Sequence, residues 1–230
     1  MKINGLQKLT LLDFPGKTAC TVFLAGCDFR CPFCHNFELT DSAADVVMES
    51  DELLEFLKGR TGLLDGVAFT GGEPTMRKDL PELLAAVKAL GYATKLDTNG
   101  NHPKVLKRLL DEHLVDYVAM DVKNSPERYA VTAGLERMDL SSVKESLQLL
   151  KDSGIDYELR TTVVAQLHDA SSFEAIGPMI AGAPRYFLQA FADRDTVPFA
   201  GLSAPSREEM EHYADLVRPY VGDVQLRGVE

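Results

Sequence analysis

The chain has 230 residues, 45% of them hydrophobic, and a formal net charge of −11; that is enough apolar material for one well-filled core, so a single domain over residues 1–230 is expected. The acidic balance, with a sequence pI near 4.9 and basic residues scattered in ones and twos, speaks against nucleic acid as a partner. No apolar run approaches the ~20 residues of a membrane span and no charged-then-apolar leader opens the chain, so no membrane partner is expected and a cytoplasmic location is.

Short β-rich runs alternate with helix-period segments along the chain. Lys2 to Leu9 could pair with a first strand at Thr18 to Leu24 across a loop holding Pro15-Gly16. Ser50 is placed to cap a helix with the stripe Leu53, Leu54 and Leu57, and Asp51 and Glu52 suit its electropositive first turn. A strand at Gly66 to Thr70 precedes a helix started by Asp79, striped by Leu83, Leu84, Val87 and Leu90, with Gly91 placed to end it. A strand at Ala93 to Asp97 follows, then a helix begun by Pro103 with Leu106, Leu109 and Leu110, then a strand at Asp116 to Asp121. Ser142 with Glu145 has capping-box spacing, ahead of a strand at Tyr157 to Val164. Ser171-Ser172 precede Phe173, Ile176 and Ile180, and a strand at Tyr186 to Ala190 leads into an unpatterned stretch from Phe191 to Pro205, near the length at which a loop tends to be functional. Ser206 with Glu209 marks a last helix, and Val224 to Arg227 adds a final strand. The alternation predicts an α/β fold with a parallel sheet. Six strand and helix units are too few for the closed eightfold barrel, so an open, partial (β/α)6 barrel with a wide mouth is expected.

Three of the four cysteines lie within eight residues, in Cys27-Asp28-Phe29-Arg30-Cys31-Pro32-Phe33-Cys34-His35-Asn36. A disulfide framework would spread its cysteines, so this C-x3-C-x2-C array after the first strand indicates reduced thiols and a metal or cluster site. Three thiolates on one loop can hold three corners of a 4Fe–4S cluster and leave the fourth iron open. The alternative is a structural zinc site completed by His35 or a distant residue, which would have to form an awkward chelate with the adjacent Cys34.

The array, with an aromatic before its third cysteine, resembles the radical S-adenosylmethionine superfamily. Cys34-His35-Asn36 looks like the form found in activating enzymes of glycyl-radical enzymes. Leu11-Leu12-Asp13-Phe14-Pro15-Gly16, Gly71-Gly72-Glu73-Pro74, Leu96-Asp97-Thr98-Asn99-Gly100, Met120-Asp121-Val122-Lys123 and Leu226-Arg227-Gly228 together resemble the activating proteins of anaerobic ribonucleoside-triphosphate reductases. The resemblance implies that Cys27, Cys31 and Cys34 ligate three irons while the amino and carboxylate groups of S-adenosylmethionine chelate the fourth. Reductive cleavage of that ligand would then give methionine and a hydrogen-abstracting 5′-deoxyadenosyl radical.

The same resemblance nominates a second circle of residues, each with a plainer structural alternative. Gly71, Gly72 and Glu73 would contact the methionyl amino group, although a strand-to-helix turn also uses Gly-Gly-x-Pro. Asp97, Thr98 and Asp121 would help hold a monovalent cation and Lys123 would meet the methionyl carboxylate, against turn capping and an outward lysine. Arg160 suits bidentate carboxylate recognition, but an internal pair with Glu158 on the same strand face is as well founded. Phe33 would lie against adenine or simply cover the cluster. Gln189 stands where the pyruvate formate-lyase branch has a histidine. The dispersed histidines are assigned nothing, and Cys20, alternating with Val22 and Leu24, reads as a buried small hydrophobe.

The function so implied is an activase that removes a Cα hydrogen from one glycine of a partner, an anaerobic ribonucleoside-triphosphate reductase, using electrons from a donor such as flavodoxin or ferredoxin. The alternatives are an activase of the pyruvate formate-lyase type, a small-molecule radical enzyme such as a deazapurine synthase, and, from another class, a zinc-stabilised binding module.

Overall fold

A computed structural model of the chain describes residues 1–229. Its residues form two compact units, one from Met1–Asp28, Glu38–Thr98 and His102–Val118, the other from Phe29–Phe37, Asn99–Asn101 and Ala119 onward.

In the first unit, β1 (Lys2–Ile3) pairs antiparallel with β4 (Met48–Glu49), and β2 (Gly5–Thr10) pairs antiparallel with β3 (Ala19–Leu24). β3, β5 (Gly66–Gly71) and β6 (Ala93–Thr98) then run parallel in that order, linked through α1 (Ser50–Lys58) and α2 (Leu80–Ala89), and followed by α3 (Pro103–Asp111). Ala19 to Val22 and Val67 to Phe69 are buried without alternation, the mark of strands covered on both faces, and Leu53, Leu57, Leu84 and Val87 are buried with them. The opening segment thus divides in two instead of pairing as one strand. Gln7 faces Thr21 and Thr10 faces Ala19, so Lys8 and Leu9 together oppose Cys20, a bulge that blunts the edge of β2. Asp13-Phe14-Pro15-Gly16 is a plug in this unit. Phe14 is buried, a Cβ added at Gly66 would meet its ring at 2.8 Å, and Asp13 accepts the Thr21 hydroxyl at 2.6 Å.

In the second unit, which holds the last three residues of β7 (Tyr117–Asp121), β8 (Asp156–Val163), β9 (Arg185–Ala190) and β10 (Asp223–Arg227) are parallel neighbours. α4 (Tyr129–Thr132), α5 (Ser141–Ser153), α6 (Ala170–Ile180) and α7 (Arg207–Val217) accompany them. Leu159, Phe173, Ile176, Tyr186, Leu188, Met210 and Val217 form its core. The architecture is α/β with parallel strands, as the alternation predicts, and β10 is the expected final strand.

Helix starts were only partly legible. The Ser206–Glu209 box is formed, with Glu209 N–H donating to Ser206 Oγ at 3.2 Å and Ser206 N–H to Glu209 Oε2 at 2.8 Å. Glu49, not Ser50, caps α1: its N–H is taken by Glu52 at 2.8 Å, while Ser50 Oγ accepts the terminal ammonium at 2.9 Å. α5 starts one residue before Ser142, with Asp139 accepting the Ser141 N–H at 3.0 Å. Asp169 caps α6 by accepting the Ser172 N–H at 3.2 Å. Among the described residues no helix is long and apolar enough to cross a membrane.

Candidate functional site

In the first unit the end of β3 is built to launch the cysteine loop. Gly26 N–H donates to Leu39 O at 2.9 Å and Cys27 N–H to Thr40 O at 3.1 Å, which fixes the backbone of Cys27. Gly71 and Gly72 lie against the same strand end. A Cβ at Gly71 would sit 2.4 Å from Leu24 O and one at Gly72 2.4 Å from Gly26 O, so both glycines are required by close main-chain approach alone. Gly72 N–H donates to Leu24 O at 2.8 Å and Glu73 N–H to Gly26 O at 2.7 Å. The buried Glu73 carboxylate accepts the Thr75 N–H at 3.0 Å, the Thr75 hydroxyl, and the Thr98 hydroxyl at 2.8 Å. It knits the turn after β5 to the end of β6.

Two residues of this unit were not found from sequence. Lys95, 2% exposed, pairs with Asp97 and lies 6.0 Å from the Tyr117 ring centre. His102 stands 3.2 Å from Asp28, and that nearby carboxylate raises the imidazole pKa. Period-2 spacing puts Lys95 and Asp97 on one strand face, whereas nothing in the sequence joins His102 to Asp28.

In the second unit Cys31, Phe33 and Cys34 ride on a short loop tied to the turn after α4. Arg30 N–H donates to Ala133 O at 2.8 Å, and Gly134, at φ +72°, passes so close that a Cβ there would lie 2.0 Å from Arg30 O. Gly134 is a third residue sequence reasoning missed, since a lone glycine after a short helix reads as an ordinary cap. Gly134→Ala is expected to push the loop aside, with left-handed strain of about 1–3 kcal/mol added to the collision. Iron and sulfide retention should fall sharply while the circular dichroism spectrum stays native; full retention would show that the loop does not depend on this contact.

Burial pushes the Cys31 thiol up to about 11, against the pull of Lys123, and also raises Cys34, against the Asn36 N–H. Such thiols ionise readily only beside a strong positive centre, which iron supplies. None of the four cysteines is in a disulfide. Three soft thiolates are a donor set whose chemistry suits an iron–sulfur cluster, in which each cysteine would take a different iron. Cys20 is fully buried with its thiol pushed up to about 12, the inert hydrophobe expected of it.

Asp121 ends β7 between two cations. Lys123 Nζ is 2.9 Å from one carboxylate oxygen, and Arg160 Nε and Nη2 are each 3.0 Å from the other. Burial alone would raise the Asp121 pKa, but Lys123 and Arg160 outweigh it and hold it at about 2, while Asp121 in turn raises Lys123. Glu158 is not the partner of Arg160. It is 2% exposed and held at both oxygens by Arg227, at 3.2 and 3.3 Å, whose guanidinium lies 3.4 Å over the Phe187 ring. Lys123 Nζ also stands 6.0 Å from the centre of the buried Phe33 ring. Its main chain is fixed by His168, which accepts the Val164 N–H on Nδ1 at 3.1 Å and donates from Nε2 to Lys123 O at 2.8 Å. Burial lowers the His168 pKa and favours that neutral form. Gln189 faces Thr162 on β8 and Arg227 on β10 in register. His35 reaches Ala192 O at 2.7 Å and stacks on Phe191 at 5.8 Å, joining the cysteine loop to the start of the 191–205 stretch.

The carboxylate of Asp121 falls from 3.8 to about 2 on folding, so its stabilisation is complete above the unfolded value and lost as pH drops through about 2. Asp121→Asn should therefore lower the melting temperature of the cluster-free chain at neutral pH, with the gap to wild type closing on acidification into that window. A gap that stays constant would remove the linkage.

The side chains nominated for a monovalent cation do not fit one. Asp97 is neutralised by Lys95, the Thr98 hydroxyl donates to Glu73, and Asp121 is held by Lys123 and Arg160.

The family model of the radical SAM superfamily matches residues 21–170. A protein of Methanocaldococcus jannaschii named "Putative glycyl-radical enzyme activating enzyme" is 31% identical over 236 residues, covering 99% of this chain and 96% of its own. The pyruvate formate-lyase-activating enzyme of Clostridium pasteurianum is 27% identical, covering 74% and 71%. Among solved structures, a domain of a pyruvate-formate lyase-activating enzyme from Bacteroides vulgatus shares the fold at a TM-score of 0.58 and 16% identity, over 71% of this chain and 99% of that one. With the cysteine array inside the matched segment, the chain belongs to the radical SAM superfamily, enzymes that use a 4Fe–4S cluster and S-adenosylmethionine.

Proposed function

We propose that this chain is an activase that generates a glycyl radical on a partner enzyme, with an anaerobic ribonucleoside-triphosphate reductase as that partner and flavodoxin or ferredoxin as the electron donor. Both units are taken as one catalytic domain. Cys27, Cys31 and Cys34 hold the cluster, which when bound supplies the electron that breaks the sulfonium C–S bond of S-adenosylmethionine.

The observation that carries the ligand assignment is Asp121 between Lys123 and Arg160. Two cations and one carboxylate leave a single positive charge in excess, matched to the one carboxylate of the methionyl end. Asp121, held at about 2, stays ionised at any working pH and keeps both cations oriented. His168, gripping the Lys123 carbonyl, fixes the main chain from which that ammonium extends. Phe33, buried beside Lys123, keeps water from the same charge.

The activase assignment is supported by the relative of that name, aligned over nearly all of both chains. The reductase is named as partner because Leu11 to Gly16, Gly71 to Pro74, Leu96 to Gly100, Met120 to Lys123 and Leu226 to Gly228 together resemble the activating proteins of such reductases. Mixing the reduced, reconstituted protein with S-adenosylmethionine and each candidate partner tests this by electron paramagnetic resonance. A glycyl radical doublet on the reductase is expected; a doublet on a formate-lyase alone would replace the partner, and none on any glycyl-radical enzyme would overturn the activase reading.

A further inference from the structure

The resemblance that nominates Asp97, Thr98 and Asp121 brings a monovalent metal cation with it, and the donor set of this chain is at odds with that. An alkali cation is held by hard oxygen donors whose charge is unspent. In the first unit the carboxylate of Asp97 already faces an ammonium. Lys95 projects from β6 two residues before Asp97, on the same strand face, and is 2% exposed, so this cation is part of the folded core rather than a mobile surface group. A buried lysine is costly unless paired, and Asp97 is its pair. Thr98 gives its hydroxyl proton to the buried Glu73. In the second unit Asp121 is engaged on one oxygen by Lys123 and on the other by Arg160. In each unit a metal cation would have to displace, or sit against, a positive group that the fold holds in place.

We propose that side-chain cations replace the alkali metal in this protein, Lys95 on Asp97 and Lys123 with Arg160 on Asp121, and that its binding of S-adenosylmethionine is independent of sodium and potassium. The proposal rests on the ligand reading above, and Lys95 is the residue on which its test turns. A lysine at this place needs no ion from solution and holds its charge in a fixed position. It also excludes the competition between sodium and potassium that an open cation site would show.

The test uses the reconstituted holoprotein in sodium, potassium and tetramethylammonium chloride at equal ionic strength. Wild-type affinity for S-adenosylmethionine, measured by titration calorimetry, is expected to agree within about twofold in the three salts, and the protein should leave the sodium-23 resonance unbroadened. Tightening by about tenfold or more on adding either alkali ion would overturn the proposal, as would sodium-23 broadening that potassium reverses. Lys95→Met opens the place of the ammonium: binding should weaken about tenfold in tetramethylammonium and recover in sodium or potassium. The double variant Lys95→Met/Asp97→Asn, with no charge left at either residue, should lose that salt response. A Lys95→Met protein that binds equally in all three salts sinks the assignment to Lys95. If that variant does not fold, the wild-type measurements still decide. If wild type binds no S-adenosylmethionine in any salt, the ligand reading fails, while the sodium-23 measurement on the same sample judges the cation claim by itself.

Discussion

Replacing Cys27, Cys31 or Cys34 singly by Ala is expected to abolish retention of the cluster and all activity, whereas Cys20→Ala should keep both. The first three leave β3 on one loop. Cys27 is fixed by its N–H to Thr40, and Cys31 and Cys34 are linked by the Cys34 N–H to the Cys31 carbonyl at 3.1 Å. If these three are the only protein ligands, as proposed, there is no spare thiolate to take over when one is lost. Cys20 lies inside β3 with no exposed surface. Its removal deletes one sulfur from a packed core, a cost of about 1 kcal/mol that lowers the melting temperature without touching the loop. Anaerobic reconstitution followed by iron and sulfide analysis of the four variants checks this; equal iron loss in Cys20→Ala would contradict it. A cluster with an open iron would make the wild-type enzyme sensitive to air, so activity that survives prolonged aerobic handling would count against a radical mechanism.

What could be read from the sequence was whatever is encoded locally. The cysteine array needs only eight residues of chain, and the buried parallel strands announce themselves as short β-rich runs between helix-period segments. Caps were harder because acceptable residues come in clusters. Glu49-Ser50 and Asp169-Ala170-Ser171-Ser172 each offer more than one oxygen within reach of the first turn, and main-chain direction decides which is used. Charge pairing was legible only at two-residue spacing, as for Asp121 and Lys123, which meet at 2.9 Å. Arg160 and Glu158 share a strand face and invite a pair, yet Arg160 turns to Asp121, thirty-nine residues away, and Glu158 to Arg227, sixty-nine away. The period-2 rule gives the face a side chain takes, not the neighbour that an adjacent strand brings to it. Lys95 shows a different gap, in burial and not in partner. A lysine in the middle of a strand reads as a solvent-facing residue, and only the fold reveals it as a buried cation. Gly71 and Gly72 were found, but for a reason the sequence does not give, since the close approach is to Leu24 and Gly26 of the chain itself.

The exchange of partners around Arg160 sets up the last expected result, a contrast between two arginines of one unit. Arg160→Ala removes one of two cations on Asp121, which keeps Lys123 at 2.9 Å, so no buried carboxylate is orphaned and the melting temperature should change little. If Arg160 meets the methionyl carboxylate, the lost charge-assisted hydrogen bonds are worth about 1.5–3 kcal/mol, or roughly ten- to hundredfold in S-adenosylmethionine affinity, with iron content intact. Lys123→Ala should weaken binding to a similar degree, because Arg160 then holds Asp121 alone. Arg227→Ala is the opposite case. It strips both oxygens of Glu158, which is 2% exposed, and removes the guanidinium from the face of Phe187. Breaking a buried pair from one side costs about 3–5 kcal/mol, and because Arg227 itself is 39% exposed and water can follow it, the lower end is expected. That variant should melt at a clearly lower temperature and, at temperatures where it is folded, bind S-adenosylmethionine as wild type does. Thermal melts and titration calorimetry on the three variants separate the roles: a destabilised Arg160→Ala protein with unchanged affinity would make that arginine a structural partner of Asp121 and nothing more.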